Sequence, residues 1–139
     1  MLNCRRFASI VLSCAFAVHA LLLASIASAQ PSAKPGMGAI PYSTGGGGTT
    51  FRVWAPAATS VYVAGSFNAW SGTANPLFSE GAGHWSVDVP GAGEGQEYKF
   101  VLNTPSGQLW KNDPRARQVT SSVGNSIIRG DTFDWSVYG

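Results

Sequence analysis

The chain has 139 residues, 45% hydrophobic and only 12% charged, with nine Lys and Arg against seven Asp and Glu. That length admits one domain of ordinary size and excludes a (β/α)8 catalytic barrel, which takes about 250 residues. The near-neutral balance argues against nucleic acid or an anionic membrane as the main partner, since both are held largely by excess Lys and Arg.

The first element in chain order is a leader. Arg5 and Arg6 precede an almost wholly apolar run from Ala8 to Ile26, which exits through Ala27-Ser28-Ala29. A positive start, an apolar middle and small residues at the exit define a cleavable signal peptide over 1–29, cut before Gln30. A retained anchor is the alternative, because the apolar run is near the lower limit for crossing a bilayer; the small-residue exit favours cleavage. Cleavage as a lipoprotein at Cys14 would leave a long apolar tail on the mature chain. The expected destination is therefore secretion or the periplasm, with no membrane contact after cleavage. Removing the leader also removes Cys4, Cys14, Arg5 and Arg6, leaving seven basic and seven acidic residues. The mature chain can then form no disulfide and no thiolate metal site. His84 is its only histidine, read as a surface turn residue. A zinc site takes about three or four protein ligands, so no metal and no cofactor is expected.

Residues 30–48 are rich in Pro, Gly, Ser and Ala and contain the uninterrupted run Gly45 to Gly48. This composition predicts a flexible linker, with Ile40-Pro41-Tyr42 as one apolar island that packs on the domain edge. No G-K-[ST] follows the glycines, so they do not read as a phosphate cradle.

From Thr49 the texture is all-β, giving a domain over 49–136. Strands are predicted at Thr49–Trp54, Ser60–Ala64, Trp85–Val89, Glu97–Leu102, Gln108–Lys111 and Asn125–Arg129. Turn residues fill Gly65 to Gly72 around Phe67 and Trp70. In Glu97–Leu102 the two-residue period sets Tyr98, Phe100 and Leu102 on one face and Lys99 and Val101 on the other. Lys99 thus lies on the exposed side. Short strands with a turn about every ten residues are the pattern of an immunoglobulin-like β-sandwich. Trp54, Val61, Val63, Trp85, Phe100, Leu102 and Ile127 are the expected core. Trp135 is expected to pack against whatever follows it.

Four motifs follow one another at characteristic spacing: T-F-R-V-W-A-P (50–56), V-Y-V-A-G-S-F-N-A-W (61–70), G-E-G-Q-E-Y-K-F (93–100) and W-K-N-D-P (110–114). In this order they resemble the family 48 carbohydrate-binding module, the N-terminal domain of many glycoside hydrolase family 13 enzymes. They are also similar to the glycogen-binding domain of the AMP-activated protein kinase β subunit. The resemblance covers about residues 37 to 136. It implies an α-1,4-linked glucan as partner and a family 13 barrel following the C-terminus. Residue by residue it implies Trp70 and Trp110 as the two stacking aromatics, with Lys99 and Asn125 bonding to sugar hydroxyls. The segment from Thr120 to Ile127 looks shorter than in the kinase domain, and Val123 takes the place of an apolar contact there.

The chemistry of these side chains points the same way. An indole face stacks on the apolar C–H face of a pyranose, joining a large area at little entropy cost. Lysine and asparagine then fix orientation through hydroxyls. Without the resemblance, Lys99 reads as a solvated surface lysine and Trp70 and Trp110 as turn-flanking aromatics. Glycoside hydrolysis needs two carboxylates flanking one bond, and no pair among Glu80, Asp88, Glu94, Glu97, Asp113, Asp131 and Asp134 forms a recognisable motif. No catalytic residue is expected in the chain. The competing expectations are a stand-alone glucan-binding protein and an immunoglobulin-like interaction domain with no sugar site.

Overall fold

A computed structural model describes residues 30–130; the leader expected over 1–29, and the segment 131–139 that includes Trp135, lie outside the described residues. The described part is all-β. Its strands are β1 (Gly38–Tyr42), β2 (Gly48–Trp54), β3 (Ser60–Gly65), β4 (Pro76–Gly81), β5 (His84–Pro90), β6 (Glu97–Thr104), β7 (Gly107–Lys111), β8 (Gln118–Val119) and β9 (Ser126–Ile127). No helix among the described residues is long and apolar enough to cross a membrane.

Every pairing is antiparallel, and the hydrogen-bonded order is β1-β2-β5-β4-β3-β6-β9-β8. The strands form two layers. One is β1-β2-β5-β4. In the other, β3 lies on one side of β6, while β7 and β9 share its opposite side. Among the described residues the layers are joined along the backbone at the β3–β4 corner, by Val61↔Leu77, Tyr62↔Pro76 and the Val63 N–H to Asn75 carbonyl bond of 3.0 Å. The rest of their association is side-chain burial.

That burial follows from strand alternation. In β2, Thr49, Phe51 and Val53 face inward; in β6, Tyr98 and Phe100 do. Phe51 meets Tyr98 across the layers at 5.1 Å between ring centroids and a 63° tilt, and Phe67 at 5.5 Å. Tyr98 and Phe100 stand edge to face at 5.9 Å. Val61, Val63, Leu77, Val89 and Ile128 complete the core. Each large apolar side chain so buried contributes about 1.5–3 kcal/mol.

Four sequence expectations are corrected. Trp54 is not core: it is 59% exposed. It has the parity of Thr50 and Arg52, which face away from Phe51 and Val53. Ile127 is only partly buried, and the core position belongs to Ile128. Pairing sets Ser126 opposite Tyr98 on the inner side, so Ile127, opposite Glu97, faces out. Strand β4 was not anticipated, because Pro76 and the turn-like Ser79-Glu80-Gly81 hide its pattern. Finally, the expected linker is part of the domain. Its Gly45, Gly46 and Gly47 take φ of 62°, 88° and 83°, a left-handed path open to glycine. The run is thus the turn of the β1–β2 hairpin, whose register is Gly38↔Arg52 to Tyr42↔Gly48. Trp85 meets its expectation in part. It packs against the core while half-buried, and its Nε1 donates to the Ala55 carbonyl at 3.2 Å.

Upstream of β1, residues 30–37 lie as a strap across the outer face of the first layer. Ser32 N donates to Ser86 Oγ at 2.9 Å, and Ser32 Oγ to Asp88 at 2.6 Å. Lys34 Nζ reaches Asp88 at 2.6 Å and lies 4.1 Å from the Tyr42 ring centroid. Thr50 Oγ1 also donates to Asp88. Arg52 bridges the Glu80 carboxylate and the carbonyls of Gly36 and Ser32; Ser86 donates to Glu80. Thr50, Arg52 and Ser86 are buried beneath this network, which supplies the partners that buried polar groups require.

The strap should make stability pH-dependent. Burial opposes ionisation of Asp88, but the hydrogen bonds from Lys34, Ser32 and Thr50 together hold its carboxyl below the usual aspartate value. The Arg52 hydrogen bond, against burial and with help from Ser86, holds Glu80 low. Depressed carboxylate pKa values contribute stability that is present above the unfolded values and lost as pH falls through the folded ones. Wild type should therefore exceed Asp88→Asn by about 1–2 kcal/mol at pH 7, discounted for the partly exposed Lys34. The gap should close as pH falls below the usual aspartate range and through the lowered folded value of Asp88. Urea unfolding of both proteins at pH 7 and pH 3 measures it; an unchanged gap contradicts the assignment.

Candidate carbohydrate-binding face

The outer face of the second layer carries the sequence-predicted residues. In β6 the outward row is Glu97, Lys99, Val101 and Asn103. Trp110 pairs with Val101 and Gln108 with Asn103, which aligns the outward row of β7 beside it. Tyr62 pairs with Val101 from the other side. Trp110 is 42% exposed, and its Nε1 donates to Gln108 Oε1 at 3.1 Å. That bond ties the indole edge to its own strand and leaves the ring face available.

The F-N-A-W motif assigns three jobs within four residues. Phe67 packs its ring into the core against Phe51. Asn68 spends its amide on the loop: Oδ1 accepts from Gly65 N at 2.9 Å, while Nδ2 donates to the Val63 carbonyl at 3.0 Å and to Asn75 Oδ1 at 2.7 Å. Ala69 and Trp70 then run at φ of 53° and 60°. Two successive non-glycine residues in the left-handed region are strained, at of order 1–3 kcal/mol each, and persist only where surrounding structure imposes them. Here Asn68 and the Trp70 N–H to Gly65 carbonyl bond, 2.9 Å, impose them. Trp70 is left half-buried at the start of a loop that folds back over the sheet.

That fold-back brings the loop to Trp110. A Cβ placed on Gly72 would lie 3.2 Å from Trp110 Cζ2 and 3.9 Å from Val101 Cγ1. Glycine is thus required by close approach, and the cover explains why Val101 is fully buried although it faces outward. Lys99 lies opposite Ala64 and two residues along β6 from Val101. It is half-buried and has no hydrogen-bond or ion-pair partner among the described residues. Asn125 sits in the turn between β8 and β9, its N–H on Thr120 Oγ1 at 2.8 Å and its Nδ2 on Glu97 Oε2 at 2.6 Å. Glu97 therefore draws Asn125 toward the same outward row as Lys99, at the price of occupying one of its donors. Val123, at the tip of that turn, is 86% exposed.

Sequence reading missed the supporting residues. Gln108, Asn68 and Glu97 hold Trp110, the Trp70 loop and Asn125 in turn. Only Asn68 carried a signal, as the polar residue between two aromatics in F-N-A-W. Among the described residues no group of three His, Cys, Asp or Glu could hold a metal ion.

The second layer thus carries on one outer face an open indole at Trp110, the loop after Trp70 folded against it, and Lys99, which has no partner among the described residues. The profile of Carbohydrate-binding module 48 (Isoamylase N-terminal domain) matches residues 36–116, and the chain belongs to that family. It is 41% identical over 91 residues to the 1,4-alpha-glucan branching enzyme GlgB 1 of Streptomyces coelicolor, covering 63% of this chain and 12% of that protein. It is 42% identical over 104 residues to the GlgB of Chlamydia caviae, covering 71% of this chain and 14% of that protein. The chain thus spans a small fraction of the length of these relatives. Among solved structures, it is similar to the type I pullulanase of Bacillus subtilis, crystallised with maltose. The match has 30% identity and a TM-score of 0.57, and covers 76% of this chain and 15% of that one. It is also similar to PulA of Klebsiella pneumoniae, at 25% identity and a TM-score of 0.55, covering 68% and 9%.

The role given to Asn68 is directly testable. Asn68→Ala removes the side-chain hydrogen bonds to Gly65, Val63, Ser71 and Asn75 and should cost about 2–4 kcal/mol of stability. It should also raise the accessibility of Trp70, read as a red shift in its fluorescence and faster acrylamide quenching in a variant keeping Trp70 as reporter. Unchanged quenching would show that the loop holds itself.

Proposed function

We propose that the protein is a non-catalytic α-glucan-binding module of immunoglobulin-like form, exported from the cytoplasm to the periplasm or beyond. It acts as the N-terminal part of an enzyme that works on O-glycosyl bonds of starch or glycogen. The observation that carries the reading is the convergence of the Trp70 loop and Trp110 on one outer face, beside the unpaired Lys99. Trp70 and Trp110 provide the stacking surfaces, Lys99 donates to hydroxyls, and Asn125 contributes its remaining amide capacity. Membership of a carbohydrate-binding family and similarity to branching enzymes and pullulanases support α-glucan as the ligand. Export rests on the leader alone. Cleavage before Gln30 is compatible with the fold, since the strap contacts begin at Ser32.

Isothermal titration with maltoheptaose and β-cyclodextrin tests the reading. Wild type should bind saturably. Trp70→Ala and Trp110→Ala should each weaken binding by about 1–3 kcal/mol, by analogy with base–aromatic stacking, which is roughly five- to 150-fold. Melting temperatures of the variants control for folding. No saturable binding by wild type, or full affinity in both folded variants, overturns the proposal.

A further inference from the structure

Three outward side chains continue the face past Trp110. Register sets Trp110 opposite Val101 and Gln108 opposite Asn103 on β6, and Ser60 of β3 opposite Asn103 from the other side. Lys99 and Asn103 stand before and after Val101 on the outward row of β6. They therefore flank the Trp110 position on opposite sides, each about 7 Å away along the strand. Gln108 is exposed, and Asn103 and Ser60 are half-buried. A chain of hydrogen bonds runs through them. Trp110 Nε1 donates to Gln108 Oε1 at 3.1 Å, Gln108 Nε2 to Asn103 Oδ1 at 3.1 Å, and Asn103 Nδ2 to Ser60 Oγ at 2.9 Å.

The polarity of this chain is fixed at its start. An indole N–H can only donate. It turns Gln108 Oε1 toward itself, which directs Gln108 Nε2 to Asn103 and, by the same logic, Asn103 Nδ2 to Ser60. The Ser60 oxygen is the acceptor of the last bond, so its own O–H is left to donate and has no acceptor among the described residues. A side-chain amide has two N–H groups and two oxygen lone pairs. Gln108 and Asn103 each use one of either kind within the chain, and each keeps one of either kind. The three groups are thus aimed by the fold without being saturated by it.

We infer that Ser60, Asn103 and Gln108 form a further hydroxyl-binding row, which extends the glucan face by one glucose unit beyond Trp110, on the side away from Lys99. The indole N–H is already used within the row, so Trp110 offers its ring face to one sugar while the row takes hydroxyls of the next. Each sugar hydroxyl both donates and accepts, and the row supplies both kinds of partner: the two amides donate and accept, and Ser60 donates. Their orientation is set before the ligand arrives, so binding orders little that was free. A face built in this way favours long chains over short ones. This inference rests on the glucan-binding reading above.

The test is titration of maltotriose and of maltoheptaose into wild type, Ser60→Ala and Asn103→Asp, each with a melting curve. Ser60→Ala removes the free donor and leaves the bond from Gln108 to Trp110 in place. Asn103→Asp still accepts from Gln108, but it offers no donor and turns the Ser60 O–H inward as its own partner. Both variants therefore keep Trp110 held while the row loses its donors. Each should bind maltoheptaose about three- to tenfold more weakly than wild type does, the range for one or two neutral hydrogen bonds. Maltotriose, short enough to sit on Trp110 and Lys99 alone, should lose less than about twofold. Maltoheptaose affinity within about 1.5-fold of wild type in either variant overturns the inference. So do equal losses for the two sugars, since these mean that the row serves only to hold Trp110. Absence of wild-type binding overturns the glucan reading and this inference with it, whereas either of the former results leaves that reading standing.

Discussion

The hydrogen bond from Tyr98 to Asp113 joins the interior of the sandwich to the edge where β7 and β9 meet β6. The Tyr98 ring is wedged between Phe51 and Phe100 in the core, and its hydroxyl ends on a carboxylate that also caps Arg115 and, through its own backbone, reaches Ser126. One side chain thereby fixes three things: the depth of β6, the point where β7 leaves the sheet, and the seat of β9. Burial pushes both the Tyr98 hydroxyl and the Asp113 carboxyl above their ordinary pKa values. For Asp113 the Tyr98 bond and the Arg115 backbone bond work against that rise. Since a raised carboxyl favours its neutral form in the fold, Asp113 opposes the pH trend of Asp88 and Glu80. Its presence at a cost is consistent with a geometric role, because the residues it positions are those on either side of the binding face.

The two layers meet the same problem, a sheet with two faces, in different ways. The outer face of the first layer is closed by the strap, whose ion pairs and hydrogen bonds bury Thr50, Arg52 and Ser86. The strap runs past Asp88 and Arg52 and leaves Trp54 uncovered. The outer face of the second layer is closed only in part, by the loop after Trp70, which covers Val101 and stops at Trp110. Cover of the first kind is polar and many-bonded. Cover of the second kind depends on one asparagine amide and two strained residues, and leaves Lys99 without a partner among the described residues. A face left with unused donors and open ring surfaces is poised for a polar ligand with apolar patches, which describes a sugar.

Much of this was legible in the sequence where the two-residue period was unbroken. Val61, Val63 and Phe100 were placed correctly, and so was Lys99, because each lies inside a strand whose neighbours confirm its parity. The errors have a common physical source. Trp54 and Ile127 were assigned by residue type rather than parity, and hydrophobicity cannot say which face a terminal strand residue occupies. The segment 30–48 was assigned by composition, which records that glycine permits many conformations but not that a hairpin turn needs three left-handed ones in succession. The strap is invisible for a further reason: Ser32 and Lys34 become structural only because Asp88, more than fifty positions away, waits on another strand.

The site itself was legible unequally. Trp70 and Trp110 draw notice as candidates because they flank turns, where functional side chains are often found. The residues that aim them do not. Gln108 is two positions from Trp110, on the same strand face, yet nothing in the spelling distinguishes it from a solvent-facing glutamine. Sequence patterns report what a chain needs in order to fold, and packing then reveals what folding leaves unsatisfied. On this face Lys99, which has no partner among the described residues, lies on the same outward row as Val101, the register partner of Trp110. A lysine left unpaired by the described fold, near an open indole face, links the orientation of that ring to the mixed polar and apolar surface that the proposed sugar ligand would offer.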